Sequence, residues 1–468
     1  MARLFRATRP AWIRDRRFGA LASLGLLGSL AATGGVSAES GRLHLQLFPN
    51  TTGTSAALSS LDIRPQTGPF FESLGTNGRS CGTCHRPDSG MSITPASIKA
   101  VFDATAGLDP LFRNNDGTDS PSADQSSLTA RRAASSMLLN KGLLRIGIGI
   151  PSGAEFELAQ VDDPYGFASA KELSLFRRPL PGANLNYLNA VMWDGRESPP
   201  GRSLQANLTS QALDATLGHA QADHPPTSQQ LRGIVALERS ISAAQIHDED
   251  AGKLDAGGAL GGPASLFRQE FYIGINDPLG GNPTGAAFNP EVFTLYPAWL
   301  RADGLGGGTP ASRAAVARGE ELFNTRTFTV SGVAGLNDRI GVPSLKATCT
   351  TCHDSPNIGN HSVVFPVNIG LTDASRRTPD LPLYTLRNLK TGDTVQTTDP
   401  GRALVTGHWA DIGKFKGPVL RNLAARPPYF HNGLAATLDD VVSFYDTRFT
   451  IGLTAQEKAD LAAFLRCL

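Results

Sequence analysis

The chain has 468 residues, which is enough for two or three domains with cores of their own. Lys and Arg number 43 and Asp and Glu 42, so the net charge of +1 gives no basis for nucleic acid or anionic lipid as a partner. With 50 Gly, 31 Pro and 7% aromatic residues, the composition predicts a loop-rich globular protein rather than a long helical bundle.

The first 38 residues have the pattern of a secretory signal peptide. Six arginines precede the apolar run FGALASLGLLGSLAATGGV, which leads to small residues at Val36 and Ala38. This pattern predicts cleavage after Ala38 and export to the periplasm. A membrane anchor is the alternative, but glycines interrupt the run and its strongly apolar part is shorter than the about 20 residues of a bilayer span. No later segment has the length and apolarity of a span, so we expect none in the mature chain.

The stretch SCGTCHRPDSG contains a C-x-x-C pair followed at once by histidine, at Cys81, Cys84 and His85. A single copy of this motif fits a haem attachment site, half of a zinc site or a redox disulfide. Downstream, RNNDGTDSPSAD at 113–124 has the composition of a solvated, turn-rich loop.

The stretch 227–246 has apolar residues at helical spacing, which predicts a helix there. The Gly/Asp-rich stretch at 303–315 has the composition of a linker, and SRAAVARGEELFN after it predicts a helix whose buried face includes Ala315, Leu322 and Phe323. Near the end of the chain, Thr437 and Thr454 are in the positions of helix N-caps, and Thr454 with Glu457 has the capping-box pattern.

The stretch TCTTCHDSPNIG repeats the motif with Cys349, Cys352 and His353. Cysteines three residues apart lie on one side of a helical turn, where they can add to the two vinyl groups of a haem, and the histidine then faces the iron. Because this interpretation explains every residue of both motifs, we predict two covalently bound c-type haems with His85 and His353 as proximal ligands. Zinc bound by both pairs together and a redox disulfide are the alternatives. We expect Cys467 to be a surface or helix-end thiol.

No series of segments alternates convincingly as strands do. We therefore expect a mainly α fold of two cytochrome c-like haem lobes with long loops. The expected divisions are a signal peptide at 1–38, an N-terminal haem domain at 39–305 and a C-terminal cytochrome c domain at 306–468.

Two further stretches resemble the bacterial di-haem cytochrome c peroxidase/MauG family. VMWDGRES at 191–198 is similar to the family's Trp-Asp-Gly-Arg signature, and FKGPVLRNLAARPPYFHNGLAATLDDVVSFY at 415–445 is similar to its C-terminal signature. RGEELFN and VSGVAGLND also resemble the family's approach to the second haem motif. The resemblance covers most of residues 65–468.

The resemblance implies an N-terminal haem that meets peroxide and a C-terminal haem that stores or relays an oxidising equivalent, with Trp193 between them. It also implies that His431 fixes the second haem's surroundings by a hydrogen bond, a satisfied core histidine being the alternative. Tyr445 occupies the position of the family's methionine ligand. The resemblance thus implies Tyr445 as the sixth ligand of the second haem iron, where a phenolate favours a low potential. The alternative is that Tyr445 packs in the lobe as an ordinary helix residue and that water or a histidine takes the ligand position.

His219 lies near where the family places a distal glutamate. Imidazole can move a proton between the two peroxide oxygens near neutral pH, so we expect His219 to do this, with a surface histidine as the alternative. Gln211 is expected to order distal water. The family also implies a calcium ion between the haems, to which the loop around Pro418 can contribute a ligand. The remaining histidines at 224, 247, 361 and 408 are expected at the surface or around the ligands.

The expected function is therefore that of an exported di-haem oxidoreductase acting on hydrogen peroxide. Its electrons are expected to come from a small cytochrome or cupredoxin, or from aromatic side chains of a partner protein as in the MauG-type branch. A di-haem electron carrier without catalysis and an oxygen-dependent, rubber-oxygenase-like enzyme are the alternatives.

Overall fold

The computed structural model describes residues 42–301 and 310–468. The predicted signal peptide at 1–38 lies outside the described residues, as does the first part of the predicted linker at 303–315. Arg42–Leu468 form one compact unit that contains both C-x-x-C-H motifs. None of the helices in the described ranges combines the length and the apolarity needed to cross a bilayer.

Strands are frequent in the described residues. They are β1 His44–Asn50, β2 Gly53–Ser59, β3 Leu144–Ile148, β4 Phe156–Asp162, β5 Leu173–Arg177, β6 Ile241–Asp248, β7 Gly252–Lys253, β8 Phe328–Ser331, β9 Ser344–Ala347, β10 Leu383–Asn388 and β11 Thr394–Thr397. Four antiparallel sheets result, with the orders β1-β2-β6-β7, β11-β10-β4, β3-β5 and β8-β9. The prediction of a mainly α fold was wrong, because the fold mixes α and β structure.

Burial on both faces explains why the sequence did not reveal these strands. All five residues of β5 are buried, and so are the last five of β2. A strand covered on both sides has no polar face, so its sequence does not alternate. Other strands have only two to four residues, which is too few for a periodic signal.

The described residues also contain helices, most of them short. They are α1 Cys81–Cys84, α2 Pro95–Thr105, α3 Leu128–Ala134, α4 Ser136–Lys141, α5 Leu204–Gly218, α6 Ser228–Ser240, α7 Pro263–Phe267, α8 Pro310–Thr325, α9 Asn337–Ile340, α10 Ala403–Thr406, α11 Leu438–Phe449 and α12 Ala455–Arg466.

Several predicted helices are confirmed. Thr437 caps α11 and Thr454 caps α12, each by accepting a backbone N–H with its hydroxyl, and Glu457 completes the second capping box. In α8, Phe323 is buried while Ala315 and Leu322 are half-buried. The helix predicted at 227–246 ends at Ser240, and the rest of that segment is strand β6.

Different elements support the two motifs. Cys81 packs against a buried cluster that β2, β6, α5 and α6 supply, whereas Cys349 packs against a cluster from α8, α11, α12 and the segment 292–299. The two halves of the chain also share a sheet, because β4 pairs with β10. Each motif therefore has an apolar core of its own.

A buried arginine at the end of β5 connects distant parts of the chain. The Arg177 guanidinium donates to Asp194 Oδ2 at 2.6 Å and to both carboxylate oxygens of Asp399, at 2.7 and 2.9 Å. Asp194 also accepts from Arg196. Burial alone lowers the pKa of Arg177, but the charges of Asp399 and Asp194 outweigh burial and raise it above its usual value.

We expect Arg177→Met to lower the free energy of unfolding by about 3–5 kcal/mol, because it leaves the Asp399 carboxylate buried without its partner. Thermal and urea unfolding of the two proteins, with their cofactors bound, measure the difference. Arg387→Met is the matched control, since Arg387 pairs with Glu157 on an exposed surface. An exposed pair contributes about 0–1 kcal/mol. Equal losses in the two variants would contradict the importance of the buried network.

Candidate functional site

The first C-x-x-C-H motif lines an apolar cavity, which we call the first cavity. α1 places Cys81 and Cys84 on one helical turn. His85 Nδ1 lies 3.1 Å from the carbonyl oxygen of Met91. Because a carbonyl only accepts, Nδ1 carries the proton and Nε2 keeps its lone pair, the arrangement typical of a metal-binding histidine. Apolar residues make up much of the wall, among them Leu185, Leu188, Val191, Leu208, Ala212 and Ile234.

The second motif lines a separate apolar cavity, the second cavity, with the same local geometry. His353 Nδ1 lies 2.6 Å from the carbonyl oxygen of Gly359, which again is six residues downstream. Burial lowers the pKa of His85, and it lowers the pKa of His353 to about 4, so both rings are neutral at pH 7. The wall includes Phe323, Val330, Phe365, Val442, Leu461 and Leu465.

All four motif cysteines are free thiols. The two pairs line different cavities, so they do not form the four-thiolate zinc site considered above. Burial raises the pKa of each thiol to about 12, unlike the lowered pKa of a redox-active cysteine. Uncharged thioether bonds to haem fit such surroundings. Cys467 is the C-cap of α12, as expected of a helix-end thiol, but it is fully buried.

Trp193 lies in the wall that both cavities share. Its Nε1–H donates to the Arg178 carbonyl at 2.8 Å, and its own carbonyl accepts from the backbone N–H of Lys416 at 3.0 Å. The indole centroid is 6.1 Å from the ring centroid of His431. The position between the motifs that the resemblance implied is therefore the one that Trp193 occupies, and hydrogen bonds on two sides hold it there.

These cavities are also lined by buried cations that have no carboxylate partner among the described residues. Arg178 and Lys416, 5% and 3% exposed, line both cavities, and Arg426 lines the second. Their hydrogen bonds go to carbonyl oxygens, such as Ala190 O at 2.6 Å from Lys416 Nζ. Burial lowers the pKa of Arg178 to about 9 and that of Lys416 to about 7. A buried cation needs an anion, and haem propionates are anions of suitable size. The residues present therefore fit haem.

The candidates for proton transfer lie together in the first cavity. Gln211 of α5 and His219, the residue that ends it, both line the wall. His219 Nδ1 pairs with Asp116, which also pairs with Arg79. Asp116 is 4% exposed, so the prediction that 113–124 is a solvated loop was wrong there. Sequence spacing gave no signal for this pair, because the partners are 103 residues apart.

Glu238 is a further residue of the first cavity that sequence reasoning missed. It lies within the helical pattern of α6 and is 6% exposed. Its Oε2 has no hydrogen-bond partner, and burial raises the pKa of the carboxyl to about 8. At neutral pH the group is therefore mostly protonated and can donate a hydrogen bond into the cavity.

The second cavity contains Tyr445 and His431, together with His361. Burial raises the pKa of Tyr445. His431 is 1% exposed and its ring centroid lies 4.0 Å from that of Phe415. Among the described residues neither ring nitrogen has a hydrogen-bond partner, although Nε2 lies 4.0 Å from Asp399 Oδ2. His361, expected near the surface or around the ligands, is buried in the cavity wall with Nδ1 2.6 Å from Asp354 Oδ2.

Comparisons with known proteins were made by sequence and by structure. No family model matches the chain. Cytochrome-c peroxidase IdrP1 of Denitromonas iodatirespirans is 35% identical over 146 residues, which are 26% of this chain and 37% of that protein. Cytochrome c551 peroxidase of Nitrosomonas europaea is 31% identical over 126 residues, 26% of this chain and 30% of that protein. The chain thus spans about a third of the length of these relatives.

A solved structure described as a MauG-like protein associated with microbial copper homeostasis is 17% identical, with a TM-score of 0.39 and 85% of each chain covered. The sequence relatives are the more informative similarity, since they are cytochrome c peroxidases. This similarity, taken with two C-x-x-C-H motifs in haem-compatible cavities, implies c-type haem as the cofactor. Over this part of its length the chain is similar to cytochrome c peroxidases.

Proposed function

We propose that this protein is a periplasmic di-haem oxidoreductase that reduces hydrogen peroxide at the first cavity and exchanges electrons with the second cavity through Trp193. The observation that carries the proposal is the shared wall, in which one tryptophan lines two cavities that each contain a C-x-x-C-H motif. Bound haem supplies iron that binds peroxide and changes oxidation state. The family's cytochrome c peroxidases support this choice of reaction.

The residues of the two motifs are suited to holding the haems. Each cysteine pair would form two thioether bonds, and each histidine would offer Nε2 to the iron because its Nδ1–H donates to a backbone carbonyl. Arg178 and Lys416, at the junction of both cavities, would pair with propionates. The expected lobes at 39–305 and 306–468 each contribute one motif, and a calcium ion near Pro418 remains a prediction from the resemblance.

The side chains of the first cavity handle the proton. His219 accepts a proton from one peroxide oxygen and returns it to the other as the O–O bond breaks. Gln211, on the same face of α5, orders the water or peroxide beside it. Glu238, mostly protonated at neutral pH, is available as a hydrogen-bond donor in the same cavity.

The residues of the second cavity support one choice of electron donor over the other. Methionine is absent from its wall among the described residues, and Tyr445 is present. A phenolate ligand favours the oxidised iron, whereas a thioether favours the reduced one. This favours oxidation of aromatic side chains of a partner protein, as in the MauG-type branch, over peroxide removal with a cytochrome or cupredoxin donor.

We expect two haems to remain on the denatured protein and one to remain after Cys81→Ala with Cys84→Ala. One should also remain after Cys349→Ala with Cys352→Ala, because each pair anchors its own haem. The pyridine haemochrome spectrum per protein chain measures the number. Cys467→Ala is the matched control and should retain two. Two haems in either double variant would contradict the assignment of that motif.

Trp193→Phe should leave both haems attached but slow the oxidation of the second haem by stoichiometric peroxide by about 10-fold or more. Phenylalanine relays electrons less readily than tryptophan, and it cannot donate a hydrogen bond to the carbonyl oxygen of Arg178. Stopped-flow spectroscopy follows each haem. Trp409→Phe is the control, since Trp409 packs in a separate apolar cluster outside both cavities. Unchanged kinetics in Trp193→Phe would leave this residue a packing role only. A ferric spectrum without any high-spin component would favour a simple electron carrier.

Tyr445→Met should raise the potential of the second haem by on the order of 100 mV, because a soft thioether replaces a hard oxygen donor. Tyr445→Phe should change the spectrum of that haem. Spectroelectrochemistry measures both. Tyr429→Phe is the control, because Tyr429 lines the same cavity and donates to the Leu423 carbonyl. A Tyr445→Phe protein that keeps the wild-type spectrum and potential rules out ligation by Tyr445.

A further inference from the structure

The backbone of His219 is held by side chains from two loops. Its carbonyl oxygen accepts from Asn77 Nδ2 at 2.8 Å, from Asn115 Nδ2 at 3.2 Å and from Arg79 Nη1 at 3.3 Å. Three donors on one carbonyl fix the end of α5 against the loop that precedes the first motif. A surface histidine needs no such support.

The ring of His219 is held by a buried ion pair. Asp116 Oδ2 pairs with Nδ1 of His219, and Asp116 Oδ1 pairs with Arg79. Arg79 is fixed in turn, because Nε donates to Pro110 O at 2.7 Å and Nη2 to Leu111 O at 2.9 Å. Arg79 and Asp116 are 2% and 4% exposed, so neither can turn away into solvent.

This arrangement decides which nitrogen of His219 is available. A carboxylate only accepts, so Nδ1 carries the proton and Nε2 is the free acceptor of the neutral ring. The His219 side chain is 43% exposed and lines the first cavity. When Nε2 takes up a proton, the adjacent Asp116 carboxylate stabilises the imidazolium, as the third group of a catalytic triad does.

We infer that Asp116 is the positioning residue of the first cavity, which orients His219 and keeps its Nε2 as the proton acceptor; the inference rests on the proposed function. The proton leaves one peroxide oxygen, resides on Nε2 and goes to the other oxygen. The ring is therefore neutral before and after.

Other charged groups share the cavity and enter any pH dependence. Asp116 is the carboxylate paired with the ring, and His85 is a second imidazole in the wall. The remaining charged side chains of the wall are Glu72, Arg79, Arg177, Arg178, Arg196, Glu238 and Lys416.

Asp116→Asn tests the inference in the holoprotein, because it retains the shape of the side chain and removes its charge. Without the carboxylate, the ring loses the partner that holds the proton on Nδ1, and an imidazolium formed during proton transfer loses the charge that stabilises it. We expect the acid limb of the rate of reaction with peroxide to move down by about 1 pH unit or more, and the rate at pH 7 to fall about 10-fold. Cyanide association with the ferric protein should show the same shift without turnover, since a base must deprotonate HCN.

Asp119→Asn is the matched control. Asp119 is a buried aspartate of the same loop, but it accepts hydrogen bonds from Ser136 and Met137 at the start of α4. We expect the acid limb of the rate of reaction with peroxide to be the same in Asp119→Asn as in the wild-type protein. If Asp116→Asn does not fold, Asp116→Glu is the second variant, because it retains the charge but displaces it. It should lower the rates of reaction with peroxide and with cyanide, while the acid limb of each pH profile moves by less than about half a pH unit.

His219→Gln distinguishes a failure of the proposed function from a failure of the role inferred for Asp116. If it leaves the reaction with peroxide unchanged, His219 has no part in proton transfer and the proposed function loses its acid/base residue. If His219→Gln abolishes the reaction while Asp116→Asn leaves both acid limbs unmoved, the role inferred for Asp116 is wrong and the proposed function stands.

Discussion

The buried charge of Arg177 is the constraint on which the rest of the site depends. An isolated guanidinium in an apolar interior is very unfavourable, so the chain must bring carboxylates to it. It brings Asp194 from the Trp-Asp-Gly-Arg signature and Asp399 from the C-terminal half. Because Asp194 follows Trp193 directly, pairing this charge also fixes where the indole lies. The acidic and basic residues of the signature thus serve to place its tryptophan.

Arg178, the next residue along the chain, differs from Arg177 in the groups that accept its hydrogen bonds. Arg178 is as buried as Arg177, but its hydrogen bonds go to carbonyl oxygens and burial lowers its pKa to about 9. The two adjacent arginines therefore have different roles. Arg177 is neutralised by carboxylates of the protein, whereas Arg178 is available to an anionic ligand. The same reasoning applies to Lys416. Cofactor binding is thus expected to stabilise the fold as well as enable chemistry.

The parts of the site that sequence predicted are those whose signal is local. Each motif lines a cavity, and the signature residues Trp193, His431 and Tyr445 also line the cavities, while their roles remain predictions. The parts that sequence reasoning missed depend on burial by distant segments. Asp116 is in a stretch rich in Asp, Asn and Ser that has the composition of a solvent loop, and its partner is far along the chain. The strands were missed for the same reason, because residues from elsewhere cover β5 on both faces and leave no alternation.

The two cavities share the local geometry of the C-x-x-C-H motif and differ in the other side chains that line them. In each, the histidine of the motif donates Nδ1–H to a carbonyl six residues downstream, which presents an equivalent Nε2. The first cavity then adds two groups that can carry protons, His219 and Glu238, and the amide of Gln211, which can order water. The second adds aromatic rings, with Tyr445 near Phe444 and Phe449 and with His431 stacked on Phe415. Cleavage of peroxide needs proton transfer whereas storage of an oxidising equivalent does not, so this asymmetry supports the proposed assignment of peroxide to the first cavity.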